Sequence, residues 1–273
     1  MSKPDPNQMT FFEHLEELRG RLFKSILLFL LVFALCFAFA REIFDVLAVP
    51  FYAAKNGPGS FGMIEIGEPF MARIKAAAYV AVILSSGIFF YHFWGFVAPG
   101  LSRKEKRVAI PFFFFMAFFF MAGCAFSFFQ VVPNVIDFLL SWNDGGSSNI
   151  TRSAYLSTLF TFVLGMGTCF EIPIVIFVLG KLGIVSPRFL MAKFKYAILI
   201  IFIIAAIITP TPDVFTQTLF AGPMIVLYLL GVGAAWLVRP KEKEEEAPQD
   251  EDEDDDEESI SADEDSESEA SAD

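Results

Sequence analysis

Long apolar runs separated by short polar segments dominate the first 240 residues of this 273-residue chain. A run of about twenty apolar residues is long enough to cross a bilayer as a helix. We therefore predict six membrane-spanning helices, over residues 22–40, 72–93, 108–130, 154–182, 196–208 and 214–237. This pattern indicates an all-α integral membrane protein rather than a soluble globular domain.

The fifth predicted span is short, because its thirteen residues reach only about 20 Å as a helix, against about 30 Å of hydrocarbon. Pro210 and Pro212 follow it and prevent the helix from continuing, and Asp213 comes next. Two interpretations remain open. Either the bilayer thins here or polar groups reach inward, or Lys193 and Lys195 simply extend to the interface.

The loops between the spans carry the basic residues unevenly. Fifteen Lys and Arg fall in the N-terminal segment, the second-to-third loop, the fourth-to-fifth loop and the C-terminal segment, and five fall on the opposite side. The positive-inside rule then predicts that both termini are cytoplasmic. On the outer side we expect a short amphipathic piece over residues 41–48, a turn over 56–60, and a second loop over 131–153.

Acidic residues concentrate at the end of the chain. From Lys241 onward there are 19 Asp and Glu and 2 Lys, whereas residues 1–240 hold 18 basic and 13 acidic residues. The tail has too few apolar residues to repay the entropy of ordering. The composition predicts a membrane domain over residues 1–239 and a disordered acidic cytoplasmic tail over 240–273.

Glu171 is the one Asp, Glu, Lys, Arg or His in the 28-residue run from Ser153 to Gly180. Its distance of ten residues from Lys181 places it about 15 Å deep, where a charge costs about 2.5–3.5 kcal/mol. Such a residue is typical of a transport pathway, a proton relay or a partner site. The alternative is a protonated acid that is hydrogen-bonded to a neighbouring helix and has no further role.

Motifs of common enzyme chemistry are missing from the sequence. It contains no Walker-type loop, no His-Glu-x-x-His and no Gly-x-Ser-x-Gly, and its two histidines are His14 and His92. Three cysteines without metal spacing lie in apolar spans, and we interpret them as buried hydrophobic residues. We predict no catalytic residues, no metal site and no cofactor. One alternative function is a proton-coupled transporter of small solutes that uses Glu171.

A few carboxylates interrupt the basic cytoplasmic side, namely Glu13, Glu16, Glu17 and Glu105. They suit local salt bridges worth a few tenths of a kcal/mol. They equally suit the capture of guanidinium groups from a ligand, because a carboxylate binds arginine in a bidentate manner that lysine does not match. The residues alone do not favour the second interpretation.

Four motifs, in order along the chain, resemble the TatC family of twin-arginine protein translocase receptors. They are His14-Leu15-Glu16-Glu17-Leu18-Arg19, Phe96-Val97-Ala98-Pro99-Gly100-Leu101 with Glu105, Phe170-Glu171-Ile172-Pro173, and Thr209-Pro210-Thr211-Pro212-Asp213 with Gln217 and Pro223. The resemblance covers about residues 10–230. One departure is that Leu229 and Leu230 follow Tyr228, where the family often carries an acid.

The resemblance implies a cup-shaped bundle of six helices in a bacterial plasma membrane. It implies that the protein binds twin-arginine signal peptides and exports folded cargo with the proton-motive force. Its partners are single-span subunits of the TatA and TatB type, membrane lipid and further copies of itself, without nucleic acid. The implied signal-peptide residues are Glu17, Arg19, Phe96 and Glu105, and the implied intramembrane, partner or translocation residues are Glu171, Pro50, Asp213 and Gln217.

Overall fold

The computed structural model describes residues 11–54, 60–97, 103–142, 149–209 and 213–237, and within the helices it leaves out the side chains of 11–15, 17–18, 93–97 and 103–113. The described residues form helices and no strand, apart from one isolated bridge between Gly62 and Thr151. The helices are α1 (Phe11–Ala38), α2 (Ala40–Leu47), α3 (Val49–Ala53), α4 (Glu68–Val97), α5 (Arg103–Phe126), α6 (Val132–Ser141), α7 (Arg152–Cys169), α8 (Ile172–Lys181), α9 (Pro187–Ala192), α10 (Phe194–Ile208) and α11 (Val214–Leu237).

Five helical segments in the described residues are long and apolar enough to cross a membrane, and a sixth is apolar but shorter. The five are Arg19–Ala38, Glu68–His92, Phe114–Ser141, Arg152–Lys181 and Val214–Leu237, and the shorter helix is Phe194–Ile208. This count is consistent with the six predicted spans and with the expectation that the fifth is short. The predicted all-α membrane fold is thus confirmed.

The third helical segment is longer than the sequence predicted. Instead of ending at residue 130, it passes through a π-helical stretch, Ser127–Val131, and continues as α6 to Ser141. Pro133 stands at the start of α6 and has no N–H to donate, and a π-helical widening absorbs such an interruption without ending the helix. The prediction that residues 131–141 belong to the second outer loop was therefore wrong.

The fourth predicted span consists of two helices. α7 ends at Cys169 and α8 begins at Ile172, so the interruption falls at Phe170 and Glu171. Pro173 has no N–H and so cannot donate to the carbonyl of Cys169. At the same place the N–H of Glu171 donates to the carbonyl of Thr168, three residues earlier, at 3.1 Å. Glu171, the predicted intramembrane acid, thus lies at a break between two helices.

The helices pack in neighbouring pairs around one main core. α4 packs on α1, α2, α5 and α7, and α11 packs on α8, α9 and α10. The largest fully buried side chains include Phe51, Phe162, Phe220, Leu156 and Met166. Many large apolar side chains of α1 and α10 are exposed, among them Phe23, Leu31 and Ile207, as expected for helices that face lipid.

The fold also tests two smaller predictions. The amphipathic piece expected at residues 41–48 is α2, whose Phe44 is buried while Glu42 and Asp45 are exposed. Cys36, Cys124 and Cys169 are all buried and free, which confirms their interpretation as hydrophobic residues. Most of the turn expected at 56–60 and the whole acidic tail lie outside the described residues.

Candidate functional site

The predicted signal-peptide residues Glu17 and Arg19 lie near the start of α1. Arg19 is exposed, and the side chain of Glu17 lies outside the described part of the chain. α1 packs along α4, with Cys36 and Ala40 against Ala77 and Ala81. These contacts show which residues of α1 lie at the same level as which residues of α4.

The pairing between α1 and α4 is antiparallel. At the opposite end of the pair from Cys36, Arg21 and Lys24 of α1 lie near His92 of α4. Residue 17 stands one helical turn before Arg21, and residue 96 stands one turn after His92. This register brings the backbone at Glu17 and at Phe96 to the same level.

Glu105 lies in the first turn of α5, which follows α4 after a short connection. α5 runs antiparallel to α4, because Gly87 faces Ala117, whereas Val80 and Ile83 from earlier in α4 share a cavity with Met121 and Cys124 from later in α5. The start of α5 therefore lies beside the end of α4. The start of α1, the end of α4 and the start of α5 form what we call the Arg19 end. The side chains of Phe96 and Glu105 lie outside the described residues.

Glu171 is buried, with 8% of its surface exposed. Within the described residues, neither of its carboxyl oxygens has a hydrogen-bond partner. Buried polar groups in proteins are nearly always hydrogen-bonded, so an unsatisfied pair of oxygens requires an explanation. The alternative interpretation of Glu171, an acid that only forms a hydrogen bond to a neighbouring helix, requires such a bond. No bond of this kind is found among the residues that the structure describes.

Pro50 lies on α3 and is buried. The segment that contains α2 and α3 is held to α7, because the Tyr155 hydroxyl donates to the carbonyl of Leu47 at 2.7 Å. The rings of Phe51 and Tyr155 also meet edge to face at 5.4 Å. Pro50 thus belongs to a packed segment rather than to an exposed loop.

Asp213 and Gln217 lie one turn apart at the start of α11. The Oδ1 atom of Asp213 accepts from the backbone N–H of Thr216 at 2.6 Å, which caps the helix. The side-chain amide of Gln217 donates to the carbonyl of Phe202 at 2.9 Å and so joins α11 to α10. Both residues therefore have structural roles in addition to any functional one.

α2, α3 and the starts of α4 and α7 together form what we call the Arg152 end. Two charged residues that were not predicted as site residues, Glu68 and Lys75, hold this end together. Glu68 accepts from the backbone N–H of Ile64 at 3.2 Å and of Ser153 at 3.4 Å. Lys75 donates to the hydroxyls of Ser153 at 2.6 Å and Ser157 at 3.1 Å. Their only sequence signal was a pair of charges at the edge of an apolar run.

These features define the class of the molecule as a polytopic helical membrane protein with a buried acid at a helix break. Among the described residues, no group of three or more His, Cys, Asp and Glu is placed to hold a metal ion. The sequence profile of the family described as Sec-independent protein translocase protein (TatC) matches residues 13–223. The chain therefore belongs to the TatC family.

Individual relatives agree with this assignment. The Sec-independent protein translocase protein TatC of Koribacter versatilis is 38% identical over 237 residues, which cover 86% of this chain and 88% of that protein. The protein of the same name from Helicobacter pylori strain J99 is 39% identical over 228 residues, covering 83% and 89%.

Two crystal structures share the fold. One, of the twin arginine translocase receptor TatC, is 36% identical with a TM-score of 0.70 and covers 83% of this chain and 99% of that one. The other, of the same receptor in the detergent DDM, is 35% identical with a TM-score of 0.72 and covers 82% and 99%. The chain is thus a membrane-embedded component of a protein translocase and not an enzyme.

Proposed function

We propose that this chain is the receptor that recognises twin-arginine signal peptides at the Arg19 end. Glu17 and Glu105 supply the carboxylates, and Arg19 and Phe96 complete the surface around them. The observation that carries the proposal is the antiparallel register of α1 and α4, which brings residues 17 and 96 level, with Glu105 in the next helix beside them.

The chemistry of this residue set suits paired arginines. Each guanidinium offers parallel N–H donors that fit a carboxylate, and two carboxylates on neighbouring helices suit two successive arginines. A lysine ammonium is a point charge and lacks this planar geometry. We therefore expect discrimination between twin-arginine and twin-lysine peptides.

The orientation of the chain gives this site its place in the cell. Both termini are proposed to be cytoplasmic, since fifteen of the twenty basic residues lie on that side. We propose that the membrane is the plasma membrane of a bacterium, because the relatives come from bacteria. The Arg19 end then meets signal peptides before export.

Export itself requires further subunits in this proposal. Single-span partners of the TatA and TatB type would assemble with the chain in the membrane, together with further copies of it, and the proton-motive force would drive transport. The buried carboxyl of Glu171, which has no hydrogen-bond partner among the described residues, is available to a polar side chain of a partner helix, a contact worth about 1–2 kcal/mol in a membrane. Pro50, Asp213 and Gln217 are proposed to act in partner contact or translocation.

Peptide binding to the purified full-length chain tests the receptor role. A labelled twin-arginine signal peptide is titrated against the chain in detergent, beside the same peptide with two lysines. We expect tight binding of the first and at least about tenfold weaker binding of the second, because hydrogen bonds between charged groups contribute about 1.5–3 kcal/mol.

Two variants and a neighbouring control sharpen this experiment. Glu17→Gln and Glu105→Gln are expected to lose the preference for arginine. Glu16→Gln removes the same charge from the adjacent, exposed position and is expected to keep it. Equal binding of both peptides, or equal loss in all three variants, would contradict the proposed site. The alternative of a proton-coupled solute transporter gains no support from the relatives.

A further inference from the structure

Three arginines converge on one cavity at the Arg152 end. Arg41 from α2, Arg73 from α4 and Arg152 from α7 line a cavity of about 380 Å³, together with Asp45 and Tyr52. This volume lies within the range of about 300–1,000 Å³ that small-molecule sites occupy. We propose that this cavity binds the phosphate-bearing headgroup of an anionic phospholipid.

The charge balance of the lining favours an anion. Its described residues carry three guanidinium groups and one carboxylate, that of Asp45. Among the described residues, none of the three arginines forms an ion pair within 4.0 Å, so no described acid neutralises their charges. The nearby carboxylate of Glu68 is already engaged by the N–H groups of Ile64 and Ser153.

Basic residues are rare on this side of the membrane, so three arginines at one cavity indicate a specific site. Only five Lys and Arg fall on this side of the membrane, yet three of them line the same cavity. Lys75, another of the five, is occupied by the two serines at the start of α7. Arginines from three separate helices, with no ion pair to any described acid, are suited to bind a phosphate, which accepts several guanidinium hydrogen bonds at once.

The aromatic surroundings hold one of the arginines in place. The guanidinium carbon of Arg152 lies 5.9 Å from the ring centroid of Phe44 and 5.8 Å from that of Phe61. The ring of Phe61 is in turn stacked on Phe51 at 4.0 Å. These contacts restrict the side chain before a ligand arrives, so less entropy is lost on binding.

The position of the cavity favours a lipid over a soluble anion. It lies at the end of membrane-spanning segments, where headgroups are found, and Tyr52 on its rim is 55% exposed. Exposed Val46 and Val49 lie on the same short helices and offer apolar surface to acyl chains. Tyrosine beside apolar residues is typical of the membrane interface.

Native mass spectrometry of the full-length chain in an uncharged detergent tests this proposal. The chain is titrated with phosphatidylglycerol and, separately, with phosphatidylcholine, and the bound lipid is counted. We expect one phosphatidylglycerol to bind preferentially. The double variant Arg41→Gln with Arg73→Gln is expected to weaken it at least about tenfold. Both arginines are exposed, so this variant is expected to fold.

Two further variants separate specific binding from general charge. Lys195→Gln removes one exposed charge from the start of α10, outside the cavity lining, and is expected to leave the affinity unchanged. Asp45→Asn removes the one acid among the described lining residues and is expected to tighten binding, an effect that a purely structural role of the cavity would not produce.

The competing outcomes are distinct. Equal retention of phosphatidylglycerol by the wild type and the double variant, or equal binding of both lipids by the wild type, would overturn the proposal. Full displacement of the lipid by inorganic phosphate or glycerol phosphate at equal concentration would also overturn it, since the cavity would then be a site for small anions.

Discussion

The Cα atom of Pro173 lies 2.9 Å from the position that a β-carbon on Gly231 would occupy, so α8 and α11 meet through bare backbone. Side-chain atoms of Ile176 lie 3.0 and 3.1 Å from the same position. Close approach through small residues is a common way for helices to pack in membranes, where the hydrophobic effect does not drive association. This contact holds α11 against the first turn of α8, directly after Glu171.

Substitution of Gly231 tests the importance of this contact. We expect Gly231→Ala to destabilise the fold by about 1–3 kcal/mol, because the added methyl group meets backbone that cannot move alone. The measurement is the thermal unfolding of the chain in detergent. For Gly233 on the same helix, no described atom beyond its own stretch of helix lies within 4 Å of the corresponding position, so Gly233→Ala is the matched control. Equal unfolding temperatures for the two variants would contradict the predicted contact.

Replacement of Glu171 is expected to weaken assembly with partner subunits without lowering the thermal stability of the chain. Glu171→Met has similar volume and removes two oxygens that have no partner in the described residues. We therefore expect its thermal stability to equal or exceed that of the wild type, since no internal hydrogen bond is lost. Peptide binding at the Arg19 end should persist. Crosslinking to single-span partners should fall about fivefold to thirtyfold, as expected for a loss of about 1–2 kcal/mol.

A control on the preceding helical turn completes this test. Thr168 is exposed, and its hydroxyl bonds the carbonyl of Leu164 within its own helix. Thr168→Val should leave crosslinking unchanged. A large loss of thermal stability in Glu171→Met would mean that the acid has a structural role, and unchanged crosslinking would remove its role in assembly.

Glu68 is expected to stabilise the Arg152 end. Glu68→Gln keeps one acceptor oxygen but replaces the other by an amide that cannot accept from a backbone N–H. We expect a loss of about 1–3 kcal/mol and faster hydrogen exchange at the amides of Ile64 and Ser153. Glu65→Gln, at an exposed position, should change neither quantity. Unchanged exchange at both amides in Glu68→Gln would refute this role.

The sequence predicted the helical fold and its apolar segments because membrane spans leave a local signal, a long run without charge. It did not predict the break at Glu171, although Pro173 was visible, because proline in a membrane helix permits a kink, a widened turn or a full interruption. Pro133 illustrates the same ambiguity with the opposite result, since the helix there continues through a π-helical stretch.

Contacts between distant residues explain most of what the sequence left open. Glu68 and Ser153 are 85 residues apart, and Lys75 and Ser157 are 82 apart. No periodicity in the chain relates them, because the pairing depends on how α4 and α7 pack. The signal-peptide residues were found only through family motifs, since their carboxylates equally suited ordinary surface salt bridges.

Asp213 allows the helix cap and the negative charge to be tested separately. Its Oδ1 atom accepts from the Thr216 N–H at 2.6 Å, and an asparagine oxygen can accept the same bond. We expect Asp213→Ala to lower stability by about 0.5–2 kcal/mol and Asp213→Asn to stay close to the wild type. Thermal unfolding of the three chains in detergent measures this difference. Equal stability of the alanine and asparagine variants would show that the cap contributes little.

Export of a folded reporter by cells carrying the same variants then isolates the charge. If the carboxylate itself takes part in translocation, Asp213→Asn should be as stable as the wild type and yet export much less cargo. If the residue serves only as a cap, export should follow stability, with Asp213→Asn active and Asp213→Ala impaired. A stable and fully active asparagine variant would therefore remove Asp213 from the proposed translocation residues.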